Sequence, residues 1–117
     1  MAARTLNEVL QSTSNCIFPA SLGEAEVALN STGPDGDTPL HVLIWREDTE
    51  GALLLLENGA PVNAIGDMGE TPLHVALTNK NPRIIKALIA AGAKIDIDSE
   101  FGETPMQKAV KAGVTLE

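Results

Sequence analysis

The chain has 117 residues, a length that suits one domain and leaves little room for a second. Its 16 acidic and 8 basic residues give a formal net charge of −8, so we expect repulsion of nucleic acid and favour a basic protein partner. The single cysteine, Cys16, excludes an internal disulfide, and the two histidines leave little for a metal site, so neither a metal nor a cofactor is expected.

Nothing in the sequence predicts association with a membrane. The N-terminus has polar interruptions and no apolar core of signal-peptide length. No run approaches the ~18 apolar residues that cross a bilayer. We therefore expect a cytoplasmic protein.

The first predicted element is a helix pair within residues 5–30. Apolar residues at helical spacing would form one face on each helix: Leu6, Val9 and Leu10, then Leu22, Val27 and Leu29. This segment lacks the landmarks that recur farther along the chain.

A constant period organises the rest of the sequence. Thr38-Pro39-Leu40-His41 returns as Thr71-Pro72-Leu73-His74 and again as Thr104-Pro105-Met106-Gln107, at the same interval each time. Gly59-Ala60 returns as Gly92-Ala93 at that interval too. A glycine also stands two positions before each of the three threonines.

The first two copies each predict two helices joined by a short turn. The threonine caps the first helix and the proline suits its first turn, because proline lacks a backbone donor. Residues 46–49 and 79–82 would form the turns, and second helices would follow over about 50–58 and 83–91, each ended by a glycine. The stretches 62–70 and 95–103 predict protruding, hairpin-like loops. In the third copy Gly113 would close the helix that Thr104 begins.

These residues resemble the ankyrin repeat, whose signature contains Thr-Pro-Leu-His, a later Gly-Ala and a period of about 33 residues. The resemblance covers residues 33–112 and implies an all-α ankyrin-repeat solenoid of stacked helix-turn-helix repeats. It divides one domain, 1–117, into a capping repeat (5–33), two repeats (34–66 and 67–99) and a truncated last repeat (100–117). The family usually has Gly-His between its helices. This chain has Glu47-Asp48 and Lys80-Asn81 there, so we expect those turns to be built differently.

No arrangement of residues predicts catalysis, so we expect no enzyme. The resemblance gives His41 and His74 a structural role, bonding within the Thr-Pro-Leu-His turn and to neighbouring loops. Cys16 has no basic neighbour in sequence, which favours a buried or unreactive thiol. The alternating acids from Asp96 fail as a calcium loop, because the sixth and twelfth positions are Phe101 and Gln107.

The resemblance also implies that partners bind to the loops and to the exposed side of the first helices. The predicted loop residues are Asp35, Asp37, Asp67, Met68, Glu70, Glu100, Phe101 and Glu103, with Asp98 nearby. The predicted first-helix residues are Trp45, Arg46, Thr78, Asn79 and Lys111, with Ala112 beside them. Carboxylates would steer a basic partner, and three large apolar side chains would anchor it.

Other interpretations of these residues stay open. Acidic loop tips also keep a protein soluble, Met68 and Phe101 could fold onto their own loops, and Trp45 could pack on the capping repeat. The leading functional prediction is a non-catalytic protein-binding module. The alternatives are an immunity or antitoxin-like inhibitor of a basic toxin, and a protein that self-associates through its C-terminal end. At that end, either Met106, Val110, Val114 and Leu116 cover the last complete repeat or another molecule does.

Overall fold

The computed structural model describes residues 4–17 and 26–116. Within those ranges all regular structure is helical, as the resemblance implied. The α-helices are α1 (Leu6–Gln11), α2 (Ser14–Ile17), α3 (Pro39–Trp45), α4 (Thr49–Glu57), α5 (Pro72–Asn79), α6 (Pro82–Ala90) and α7 (Pro105–Ala112), and a short 3-10 turn spans Asp67–Gly69.

The threonine of each signature begins a helix, as predicted. Thr38, Thr71 and Thr104 are extended, and each side-chain oxygen accepts the backbone N–H three residues later. The residue at that third position returns the contact by accepting the threonine's own N–H through its side chain. The reciprocal pair satisfies two donors that a helix start would otherwise leave free.

The second helices begin one residue earlier than predicted. Asp48 and Asn81 accept the N–H groups of Gly51 and Ile84, so α4 starts at Thr49 and α6 at Pro82. The residue before each cap, Glu47 or Lys80, has a left-handed backbone with φ of 57° or 54°. The turns thus keep the conformation that glycine favours, although glycine is absent, and the difference from the family pattern lies in the side chains.

The helices form two layers. In the first layer α5 lies between α3 and α7, and in the second α4 lies beside α6. The fully buried leucines Leu40, Leu43, Leu73 and Leu77 belong to the first layer, and Leu55 and Leu88 belong to the second. The core therefore runs along the stack between the layers.

Each histidine of the Thr-Pro-Leu-His signature joins one repeat to the next loop. His41 Nδ1 accepts the Thr38 N–H at 3.1 Å, so the ring proton lies on Nε2, which donates to the Glu70 carbonyl at 2.9 Å. His74 repeats this arrangement with Thr71 at 3.0 Å and the Glu103 carbonyl at 2.9 Å. Both rings are fully buried, which confirms the structural role predicted for them.

The N-terminal helices are tied to the first repeat by two arginines. Arg4 forms a two-pronged ion pair with Asp48, at 2.7 and 2.8 Å. Arg46 donates to the Ser12 carbonyl at 3.0 Å and to Cys16 Sγ at 3.3 Å. Cys16 is exposed rather than buried, and its basic neighbour, Arg46, is distant in sequence.

The apolar faces predicted at the N-terminus are only partly described. Val9 and Leu10 are buried in α1, and Leu6 packs against the core. Val27 is also buried and Leu29 packs against the core, but residues 26–30 are not helical, so the prediction that these two side chains lie on a helix face is wrong. Leu22, predicted on the same face, lies outside the described residues.

The C-terminal residues divide into two groups. Val114 and Leu116 pack against the core and Ile84 and Leu88 are fully buried, so this part of the predicted cover is confirmed. Met106 and Val110 are 42% and 72% exposed, so much of the apolar surface of these two side chains is left open by the described residues. Both lie on α7.

The left-handed turns predict a stabilising substitution. Lys80→Gly should raise the free energy of unfolding by about 0.5–1 kcal/mol, because glycine adopts positive φ without the clash that Cβ causes. Lys86→Gly, at an exposed position inside α6, is the matched control and should lower it by about 1 kcal/mol. Urea titration measures both, and a destabilised Lys80→Gly chain would contradict the assigned turn.

The buried imidazole predicts a dependence of stability on pH. Burial lowers the pKa of His41 below its usual 6.5, so on acidification the unfolded chain binds a proton before the folded chain does. The free energy of unfolding should therefore fall as the pH drops from 7 to 5, by up to about 1.4 kcal/mol per pH unit from this group.

His41→Gln supplies the control for that slope. Glutamine already fills the equivalent place at Gln107, where its side chain accepts the Thr104 N–H, and it does not titrate. The variant should lose part of the slope between pH 5 and 7, whatever its stability at pH 7. An unchanged slope would mean that His41 is not the group responsible.

Candidate functional site

The three loops close in the same way. A backbone N–H donates to the carbonyl four residues later from Gly33 to Asp37, from Gly66 to Glu70 and from Ser99 to Glu103, at 2.9 Å in each case. The donors are one repeat period apart, so the residues that follow them occupy equivalent places. We call the predicted loop residues the loop edge: Asp35, Asp37, Asp67, Met68, Glu70, Glu100, Phe101 and Glu103.

Neighbouring loop tips are bonded directly to one another. The Asp67 N–H donates to the Asp37 carboxylate at 2.9 Å. The Glu100 N–H donates to the Met68 carbonyl, also at 2.9 Å. The Asp37 carboxylate lies so close to Gly66 that a side chain there would collide with it. The loop edge is therefore one continuous surface.

Three carboxylates of the loop edge are engaged within the protein. Asp37 holds the second loop tip, as described above. Glu70 pairs with Lys108 at 3.0 Å, with the lysine side chain 19% and the glutamate side chain 14% exposed. Glu103 pairs with Lys111 at 2.8 Å, and the hydrogen bond from that ammonium lowers the pKa of Glu103. These three acids occupy the same position of successive repeats, yet each has a different partner.

The other three carboxylates face solvent. Asp35, Asp67 and Glu100 are exposed, and none of them has an ion-pair partner within residues 4–17 and 26–116. Two apolar side chains lie among them: Met68 is 49% exposed and Phe101 is 72% exposed. These two side chains therefore do not fold down onto their own loops. The loop edge thus combines unpaired negative charge with exposed apolar surface.

The predicted first-helix residues separate into exposed and structural ones. Trp45, Thr78 and Lys111 are equivalent in the three repeats and all are exposed, with Trp45 at 47%. Asn79 is half-buried and donates to the Ile44 carbonyl at 2.7 Å, near the end of the neighbouring helix. The exposed side chain of Arg46 is held by the N-terminal helices through the bonds given above.

The sequence analysis did not identify Lys108, whose side chain pairs with Glu70 of the loop edge. Its position is equivalent to Val42 and Val75, which are buried, so a lysine there needs a carboxylate partner. Glu70, in the loop of the preceding repeat, supplies it. The replacement of a buried valine by lysine was the signal available in the sequence.

The described part of the chain offers no group of three or more histidine, cysteine or acidic side chains that could hold a metal ion. In the same part, no helix is long and apolar enough to span a membrane.

Comparison with known families matches the description "Ankyrin repeats (3 copies)" to residues 6–99. The match extends through the N-terminal helices and both complete repeats. A search of curated proteins found no match to the chain.

The two glutamate–lysine pairs predict unequal effects on stability. Glu70→Gln should lower the free energy of unfolding by about 1–3 kcal/mol, because it leaves the largely buried Lys108 ammonium without an opposite charge. Glu103→Gln, one repeat later, should have a smaller effect, since Lys111 is 76% exposed and water solvates it. Urea titrations of the two variants provide the comparison, and the reverse order would contradict the assigned pairing.

Proposed function

The chain belongs to the ankyrin-repeat family, whose repeats are generally protein–protein interaction modules, and on that premise we propose that it is a non-catalytic module that binds a basic protein. The proposed binding surface is the loop edge together with the exposed side of the first helices. The observation that carries the proposal is the combination of unpaired carboxylates and exposed apolar side chains along one bonded edge.

Charge supports a basic partner. The chain carries a net charge of −8, and Asp35, Asp67 and Glu100 add unpaired negative charge at the tips of the loops. Oppositely charged surfaces accelerate encounter and suppress approach by acidic proteins. The internally paired Glu70 and Glu103 contribute less to this attraction, because their lysine partners already compensate them.

Exposed apolar side chains support a lasting complex rather than an encounter alone. Met68 and Phe101 occupy equivalent places on adjacent loop tips, and Trp45 lies on the first-helix face. Large side chains that become buried in an interface carry much of its binding energy, while the surrounding charges fix orientation. The loops themselves are held by backbone bonds, so little ordering is needed on binding.

A charge-reversal experiment tests the proposal. The double variant Asp67→Lys/Glu100→Lys removes two unpaired charges of the loop edge. The matched control, Glu50→Lys/Glu57→Lys, makes the same change in net charge on exposed positions of α4. Wild type and both variants serve as immobilised bait for proteins of the native host. We expect a basic protein that wild type and control retain and that the loop-edge variant loses.

The captured protein is then titrated against the free chain at several salt concentrations. Trp45 is the sole tryptophan and tyrosine is absent, so its fluorescence reports on the first-helix face. Affinity should fall with salt, and the loop-edge variant should bind at least about tenfold more weakly. Equal retention by the loop-edge variant and the control would refute the proposed surface.

A further inference from the structure

One segment of this acidic chain carries only positive charge. No acidic residue lies between Glu70 and Asp96, whereas four lysine and arginine residues do. They are Lys80, Arg83, Lys86 and Lys94, and all four are exposed. The segment includes helix α6 and the turn that precedes it. A molecule with a net charge of −8 thus has one basic region.

The four basic side chains of this segment differ from the other four in having no partner within the protein. Each of the others bonds to a distant part of the chain: Arg4, Arg46, Lys108 and Lys111. Within residues 4–17 and 26–116, no ion pair or side-chain hydrogen bond involves a lysine or arginine of the segment. The unpaired positive charge of the described residues is therefore concentrated here.

Three of the four side chains form a strip at the start of α6. Arg83 and Lys86 are three residues apart in this helix, so they are neighbours on its surface. Lys80 lies in the turn, directly before the helix cap Asn81. We call Lys80, Arg83 and Lys86 the basic strip. Lys94 lies beyond the other end of α6.

The basic strip and the loop edge lie at opposite ends of α5. Glu70 of the loop edge directly precedes the capping Thr71 of this helix, and Lys80 directly follows its last residue. A helix of 8 residues is about 12 Å long, so it separates the two surfaces by about that distance. A partner on the basic strip therefore leaves the loop edge free.

The basic strip does not serve the stability of α6. The N-terminus of a helix carries a partial positive charge, which acidic residues stabilise. Helix α4 has Glu50 in its first turn, whereas the first turn of α6 has no acid and has Arg83 at the equivalent place. Arg83 and Lys86 also repel each other at their three-residue spacing. Since these charges act against their own helix, an external partner explains their position better than stability does.

Acidic residues of the preceding repeat limit the width of the basic strip. Glu47 and Glu50 occupy the places equivalent to Lys80 and Arg83, and both are exposed. Helix α4 packs beside α6, and packed helices lie about 8–10 Å apart. A nucleic acid, with phosphates along its whole length, would meet these acids together with the strip. A narrow acidic element of a protein would not.

We propose that the basic strip binds an acidic α-helix of a second protein. Three residues of α6 correspond to a rise of about 4.5 Å. Acidic side chains three or four residues apart on a helix are separated by about 5–6 Å, so one carboxylate can lie opposite each basic side chain. Alternate side chains of an extended strand are about 6.6 Å apart and match this spacing less well.

The proposal goes beyond the binding of a basic protein at the loop edge. If both surfaces are occupied, the chain links two proteins of opposite charge, and this linking role rests on the proposed function. The binding of an acidic helix at the basic strip does not, because the strip shares no residue with the loop edge or with the predicted first-helix residues.

A synthetic helical peptide tests the binding. It repeats Glu-Ala-Ala-Glu-Ala-Ala-Ala, so that its glutamates share one face, and the control peptide has glutamine in their place. In nitrogen-15 NMR of the wild-type chain at low salt, the acidic peptide should shift the backbone amides of Lys80, Arg83 and Lys86. It should leave those of Asp67 and Glu100 unchanged, and the glutamine peptide should shift neither group.

A pair of double variants locates the contact. Arg83→Gln/Lys86→Gln should weaken binding of the acidic peptide at least about tenfold. It should also raise the urea concentration at which the chain unfolds, because it removes repulsion from the start of α6. The matched control, Thr32→Glu/Thr115→Glu, makes the same change in net charge at two exposed positions outside the strip and should keep the wild-type affinity. Circular dichroism establishes that both variants retain the helical content of wild type.

Several results would overturn the proposal. One is an acidic peptide that shifts no strip amide at about 1 mM, whether or not a short thymidine oligonucleotide does. Another is equal affinity of the two double variants, which would place the contact elsewhere. A lowered urea midpoint for Arg83→Gln/Lys86→Gln would give these side chains a structural role instead. The loop edge takes no part in these measurements, so none of them decides the proposed function.

Discussion

The stacking of the repeats depends on a neutral imidazole at the fourth position of each Thr-Pro-Leu-His turn, because that ring joins its own repeat to the next loop. On one side the ring accepts the N–H of its own capping threonine, and on the other it donates to a carbonyl of the next loop. A ring protonated on both nitrogens could not make the first bond, and a ring with its proton on Nδ1 could make neither. The tautomer of His41 and His74 therefore fixes the start of a helix and the position of the following loop together.

The loop edge depends on this constraint. With the second and third loops each tied to the histidine of the preceding repeat, residues one period apart come to lie side by side, and the tips bond to one another. Equivalent position does not mean equivalent role, however. Asp37, Glu70 and Glu103 occupy one position, yet Asp37 accepts a backbone N–H, Glu70 pairs with a largely buried lysine and Glu103 pairs with an exposed lysine. The unpaired acids Asp35, Asp67 and Glu100 are the ones that remain for a partner.

Much of the fold follows from local sequence. The Thr-Pro pairs predict where α3, α5 and α7 begin, and the period predicts which faces meet, because capping and helical spacing are short-range effects. The contacts of Arg46, Asn79 and Lys108 could not be obtained in this way. Each joins residues 30 to 38 positions apart and depends on the conformation of a long side chain at a repeat boundary. For the same reason the sequence predicts the candidate site only as a set of positions. Which of its acids are paired depends on contacts such as that between Glu70 and Lys108, which local sequence does not determine.

Nitrogen-15 NMR of the two imidazoles tests the stacking constraint most directly. Both rings should carry their proton on Nε2, and each Nε2 should show a scalar coupling through the hydrogen bond, from His41 to the Glu70 carbonyl carbon and from His74 to that of Glu103. Rings with the proton on Nδ1, or Nε2–H groups that exchange rapidly with water and show no such coupling, would contradict the account.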